Sequence, residues 1–199
     1  MFIQIIEGRC TRQEELRAVL DRWEAELGSG AEGWLGGTYG FTDDDLFVAV
    51  VRFEDREHAM ANSERPEQGR WAEEMMSLFD GPVEFHDCDD VTLLFDGGSD
   101  DAGFVQVIRG KVEDPSRLRA LMASDPTELK RMRPEIIGAT LAIEPDGTFT
   151  ETVAFTDEDS ARRGESQEPP ADVRAELEYA MQGAQFYDLH HPWFETARR

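Results

Sequence analysis

Apolar and polar positions along this chain follow one pattern that is laid out twice. In Phe2-Ile3-Gln4-Ile5-Ile6-Glu7-Gly8, Phe2, Gln4 and Ile6 fall on one face of a strand, and Ile3, Ile5 and Glu7 on the other. Apolar residues on both faces predict a strand covered from both sides. The pattern returns 102 residues later as Phe104-Val105-Gln106-Val107-Ile108-Arg109-Gly110. The same offset carries Leu16-Arg17-Ala18 onto Leu118-Arg119-Ala120, Gly36 onto Gly138, and Asp55 and Ala59 onto Asp157 and Ala161. Phe47, Val51 and Phe53 are matched by Phe149, Val153 and Phe155, Gly81 by Gly183, and Phe85 by Tyr187. Ordered matches at one offset indicate duplication of a unit of about 95 residues, a period that means two similar domains rather than a solenoid.

Within the first half, Thr11 and Glu14 have the spacing of a capping box and predict a helix start. Leu16, Val19, Leu20, Trp23 and Leu27 then form one helical stripe, ended by Gly28-Ser29-Gly30. Trp34 to Phe41 and Leu46 to Phe53 flank Asp43-Asp44-Asp45 and predict a hairpin. Asp55 is placed to cap a short helix carrying His58, Ala59 and Asn62. After Arg65-Pro66, a longer helix carries Trp71, Met75, Leu78 and Phe79 and ends at Gly81. Val83 to Leu94 reads as the last strand. The order is β-α-β-β-α-β, the ferredoxin-like arrangement.

The second half repeats this order with local changes. Asp114-Pro115 supplies a cap with proline at the first helical position. Pro126 is expected to break or kink the helix that Leu118, Leu121 and Met122 begin. Pro145-Asp146-Gly147 marks a hairpin between 136–143 and 148–155. Gly164 to Pro170 reads as loop, a helix with Val173, Leu177, Ala180 and Met181 ends at Gly183, and Phe186 to Trp193 reads as the final strand. The expected organisation is a first repeat over 1–96, a polar linker over 97–103, and a second repeat over 104–199.

Composition narrows the function classes. Of the 199 residues, 40% are hydrophobic, which is enough for a core. A net charge of -23 opposes binding to nucleic acid or to anionic membrane surfaces. The acidic surface reads as a solvated face, or as a patch for a basic partner. Cys10 and Cys88 are too few for a disulfide framework and lack counterparts in the other half. No signal peptide and no apolar run of roughly 18 residues is visible, so a cytoplasmic protein is expected.

Phe53-Glu54-Asp55-Arg56-Glu57-His58-Ala59, Asn62-Ser63-Glu64-Arg65-Pro66 and Trp71-Ala72-Glu73-Glu74-Met75 resemble the strand end, short helix and second helix of antibiotic biosynthesis monooxygenase domains. These belong to the dimeric α+β barrel superfamily. The resemblance implies an α+β fold of two tandem ferredoxin-like repeats forming an intramolecular dimeric α+β barrel, as a monomeric pseudo-dimer or a homodimer. It implies cofactor-free oxygenation, or binding, of a bulky apolar small molecule. The alternative is a non-catalytic small-molecule-binding or protein-interaction module. The haem-degrading branch uses an Asn, Trp and His set. Here Gln4 and Glu7, Asn62, and Arg70 with Trp71 stand near those positions, which argues against haem degradation.

Cofactor-free oxygenation calls for aromatic walls and a few polar groups that stabilise a substrate anion. The candidate pocket residues are Gln4, His58, Asn62, Trp71, His86 and Gln106. Gln4 and Gln106 are amides set among apolar neighbours; once buried, each must find a partner in the backbone, the other amide or a ligand. His58 and Asn62 are one helical turn apart, at a pocket mouth or on a surface edge. Trp71, with Trp23, sits on a core stripe and serves packing or ligand stacking. His86 and Cys88 share a strand face, and His190 falls at the repeat position of Cys88, a trio of zinc-ligand types. No spacing amounts to a metal motif, and no metal, cofactor or catalytic residue is assigned. Because the halves differ between Ser63–Trp71 and Ser166–Val173, two unequal half-sites are expected, with any active one in the first half.

Overall fold

The computed structural model describes residues 1–98, 100–122, 126–169 and 171–197. Ser99 of the expected linker, Pro170 of the expected loop, and Arg198 and Arg199 of the expected second repeat lie outside the described residues. The chain forms β1 (Phe2–Arg9), α1 (Gln13–Glu26), β2 (Trp34–Phe41), β3 (Leu46–Phe53), α2 (Arg56–Ser63), α3 (Pro66–Met76) and β4 (Val83–Cys88). It continues through β5 (Asp90–Leu94), β6 (Phe104–Lys111), α4 (Pro115–Met122), α5 (Pro126–Met132), β7 (Ile136–Ile143) and β8 (Thr148–Phe155). The last elements are α6 (Glu158–Glu165), α7 (Ala171–Met181), β9 (Gln185–Leu189) and β10 (Trp193–Thr196). Both hairpins form over the residues their alternation predicts, and the fold is α+β with two ferredoxin-like repeats.

Two five-stranded antiparallel sheets result, in the orders β10-β2-β3-β1-β4 and β5-β7-β8-β6-β9. One compact unit comprises Met1–Asp89 with Trp193–Arg199, the other Asp90–Pro192. The run from Val83 to Leu94, expected as one strand, is therefore two: β4 pairs with β1, and β5 pairs with β7. The expected final strand over 186–193 likewise divides, β9 pairing with β6 and β10 with β2. Alternation of side chains cannot show where a strand changes its hydrogen-bonding partner, because pairing is non-local. The segment 97–103 falls in the second unit, where the Gly103 N–H donates to Phe155 O at 3.1 Å. The division at 1–96 and 104–199 is retained as our proposal for the duplicated unit.

In the first unit, Leu16, Val19, Leu20 and Trp23 of α1 are buried, as the stripe predicts, and Met75 of α3 joins them against the sheet. Leu16 is fully buried, so its truncation to alanine costs about 2–5 kcal/mol. The capping box does not form. Helix α1 starts at Gln13 without a side-chain cap, and Asp80 accepts from the Thr11 backbone N–H at 2.7 Å. Asp55 does cap α2 through the His58 N–H, and Asp157 caps α6 through the Ser160 N–H.

The second unit packs around Phe104, Phe149, Leu141 and Phe155. Pro126 opens α5 at its first position. Gly164 is helical rather than loop, because it is a contact point rather than a breaker. A Cβ there would sit 2.1 Å from Glu135 Oε1. The repeat offset also falls by one in the last strand. Phe85 pairs with Ile6 and Phe186 with Ile108, so Phe186 rather than Tyr187 answers Phe85. The turn after Gly183 is one residue shorter than the turn after Gly81.

Candidate functional site

In the first unit a cavity of about 220 Å³ lies between one face of the sheet and helices α1, α2 and α3. Its floor follows from strand register. Gln4 lies across from Val51 and Ile6 from Ala49, so these four side chains share the helix-facing side with Phe2 and Phe53. Leu20 and Trp23 of α1, Asn62 of α2, and Trp71 and Met75 of α3 form the walls.

Three tryptophans meet there. Trp23 stands edge-on to Trp34 at 4.9 Å between centroids and tilts against Trp71 at 6.1 Å. Trp23 Nε1 donates to Gln68 Oε1 at 2.5 Å, and Trp71 Nε1 to the Val19 carbonyl at 2.9 Å, which fixes both rings. The Trp34 Nε1 is buried and has no hydrogen-bond partner among the described residues. Such a donor is costly to leave unmet in a finished core, and a ligand acceptor would meet it.

Polar groups enter at three points. Asn62 is 7% exposed, and its Oδ1 accepts from Arg65 Nη1 at 2.9 Å. That contact sets the amide's orientation. Its Nδ2 makes no hydrogen bond among the described residues, and the residue lines the cavity wall. Gln4 Nε2 donates to Asp87 Oδ1 at 2.8 Å, and Arg56 holds both Asp87 and Asp89 while lying over the Phe2 ring.

The third polar point is Tyr39, which is 3% exposed, lines the floor and donates its hydroxyl to Glu195 Oε2 at 3.2 Å. Gly37 permits this. A Cβ there would fall 2.1 Å from Tyr39 Oη. Burial, and then the Glu195 charge, push the Tyr39 phenol well above its ordinary range. Burial raises Glu195 to about 7, with Glu24 and Asp21 adding to the rise.

Of the residues singled out in the sequence, Gln4, Asn62 and Trp71 come together at this cavity. His58 does not line it. Its ring packs beside Gly33, and Nδ1 lies 2.8 Å from Asp55 Oδ1, a contact that raises the imidazole; the His58 backbone N–H, and then this contact, lower the Asp55 carboxyl. His86 lies across from Ile5, on the opposite sheet face from Gln4, with Nε2 3.5 Å from Glu84. Gln106 belongs to the second unit and donates to Asp188 Oδ1 at 2.8 Å. Cys88 lies across from Ile3, and His190 Nδ1 meets Glu158 Oε2 at 2.7 Å. With the shortened offset, His190 answers Asp89 rather than Cys88. Among the described residues no three His, Cys, Asp or Glu side chains cluster as metal ligands.

Trp34, Tyr39, Arg65 and Glu195 escaped sequence reading. The Gly36-Gly37 pair before Tyr39 is the signal that a bulky side chain folds back along β2. Nothing local marks Glu195, which reaches the site through the pairing of β10 with β2. The second repeat lacks this set. By register, Ile136 stands for Trp34, Leu141 for Tyr39 and Glu151 for Ala49, and the repeat offset places Gly164 at Asn62.

No protein-family model matches the chain, and no curated protein matches it in sequence. Solved structures match over nearly its full length. One is a proposed monooxygenase from Lactobacillus acidophilus NCFM, 11% identical, with a TM-score of 0.72 over 99% of this chain and 97% of that one. A second proposed monooxygenase, from Fusobacterium nucleatum subsp. nucleatum ATCC 25586, is 11% identical, with a TM-score of 0.76 over 98% and 94%. An anthrone oxidase-like protein is 11% identical, with a TM-score of 0.64 over 100% and 94%. The chain has the tandem α+β fold of these monooxygenase-like proteins. No helix among the described residues is long and apolar enough to cross a membrane.

Proposed function

We propose that the first repeat binds a compact, apolar aromatic compound with an acidic C–H or O–H and oxygenates it with molecular oxygen, without a bound cofactor. The carrying observation is the buried Asn62 amide, held through its Oδ1 by Arg65 in the wall of a tryptophan-lined cavity. The unmet Trp34 N–H supports the same reading. Donors in an apolar cavity stabilise a substrate anion far better than donors in water. A volume of about 220 Å³ is below the roughly 300–1,000 Å³ of drug-sized pockets, so the occupant is small.

In the reaction, loss of a proton gives a carbanion, and its addition to oxygen with return of the proton gives a hydroperoxide. Loss of water then leaves a ketone. Carbon is oxidised, one oxygen atom is retained, and the other leaves as water. Anthrone, an apolar three-ring ketone with an acidic methylene, is the natural probe, since one structural neighbour is described as anthrone oxidase-like. The test is oxygen uptake and anthraquinone formation with a chelator present and no added flavin or metal. The reading expects turnover that falls about 100-fold in Asn62→Ala. Binding without turnover would instead favour a non-catalytic small-molecule carrier.

A further inference from the structure

We infer that Tyr39 and Glu195 form the proton-accepting relay of the first-repeat cavity, with Tyr39 touching the substrate and Glu195, delivered by the last strand, as the positioned final acceptor. The inference rests on the proposed function and names the base which that reaction requires.

Three observations carry it. Tyr39 lines the cavity floor, with its hydroxyl folded back beside Gly37. That hydroxyl donates to Glu195 Oε2 at 3.2 Å. The second carboxylate oxygen, Oε1, is buried and has no hydrogen-bond partner among the described residues, in a side chain only 5% exposed. Burying an ionised carboxylate is costly unless both oxygens are paired or a cation is adjacent. One supplied with a single phenolic donor is poised to take a proton.

The surroundings set when it does so. Asp21 and Glu24 on α1 disfavour its ionised form, whereas the Tyr39 hydroxyl on β2 favours it. Arg52 on β3 acts on the Tyr39 phenol and favours its ionised form. Burial dominates and leaves the carboxyl near neutrality, where a general base is most effective.

The step balances without an oxidant. The substrate C–H bond breaks as its proton passes to Tyr39 Oη, and the Tyr39 O–H bond breaks as that proton passes to Glu195 Oε2. Charge moves from the carboxylate to the substrate carbanion, which the Asn62 and Trp34 donors can meet. The second repeat, with Leu141 at the Tyr39 position, has no such relay.

The test is anaerobic deuterium wash-in at the anthrone methylene, followed by mass spectrometry, for wild type, Tyr39→Phe and Glu195→Gln. Anthrone binding is read in parallel from tryptophan quenching. Both substitutions keep the shape of the side chain. The relay predicts that wild type accelerates exchange with an inflection near pH 7, and that each variant loses about 100-fold more exchange than binding. Glu195→Gln should also abolish the inflection. Exchange that merely tracks binding, or an inflection surviving Glu195→Gln, overturns the relay. Oxygen uptake in air separates the two ideas. Uptake with unchanged exchange in both variants refutes the relay and leaves the oxygenase reading standing. Binding with neither exchange nor uptake refutes both.

Discussion

Gln106 donates to Asp188 at 2.8 Å, and one repeat earlier Gln4 donates to Asp87 at the same distance. Each pair is clasped by an arginine that also lies over the first phenylalanine of its repeat, Arg162 over Phe104 and Arg56 over Phe2. The arginines come from different turns of their helices, so the clasp is preserved while its donor position is not. Gln106→Leu removes one hydrogen bond and leaves Asp188 with Arg162, costing about 1 kcal/mol in urea unfolding. Asp188→Ala strands the buried Gln106 amide and removes an acceptor from Arg162, and is expected to cost about 1–3 kcal/mol. An Asp188→Ala protein as stable as Gln106→Leu would contradict this ordering.

Glu195 should make the protein less stable as pH rises. Unfolded, its carboxyl ionises near its ordinary value of about 4.3. Folded, it ionises near 7. Between those values the folded state binds more protons than the unfolded state, so stability falls with pH, and the loss is complete above the folded value. The effect is on the order of 3 kcal/mol. Glu195→Gln should therefore flatten this part of the stability profile and be more stable than wild type at pH 8, but not at pH 4. Chemical denaturation across that range checks it, and a parallel displacement of the whole profile would refute it.

Ala49 and Glu151 occupy the same place in the two sheets, across from Ile6 and Ile108. Glu151 has no hydrogen-bond or ion-pair partner among the described residues, and burial alone raises its carboxyl to about 7. Glu151→Ala is predicted to raise the melting temperature by several degrees at pH 8, from about 1–2 kcal/mol, and by less at pH 5. The reciprocal Ala49→Glu places a carboxylate in the cavity floor and should abolish binding of apolar probes. Ala49→Leu, which adds bulk without charge, separates filling of the cavity from electrostatic exclusion.

The amino-acid pattern reveals the strands of both hairpins, the α1 stripe and the Asp55 cap, because each depends on neighbours within a few residues. It conceals the partition of 83–94 and 186–193, because Cys88 and Asp90 carry no mark that the first pairs with β1 and the second with β7. Candidate residues divide in the same way. Gln4, Asn62 and Trp71 are visible as polar or aromatic exceptions on faces that prove to line the cavity. His86 sits on the other face, because strand alternation orients it with Ile5. A constant offset assigns His190 to the repeat position of Cys88, and one missing residue in a turn moves it to that of Asp89.

We propose a single ligand site per chain, the cavity of the first repeat. Calorimetric titration of the full chain with anthrone, using wild type, Asn62→Ala and Ser166→Ala, counts the sites and locates them. The expected result is one site per chain, affinity weakened at least about tenfold by Asn62→Ala, a change of about 1.4 kcal/mol, and no effect of Ser166→Ala. Two sites per chain, or equal losses in the two variants, would contradict it.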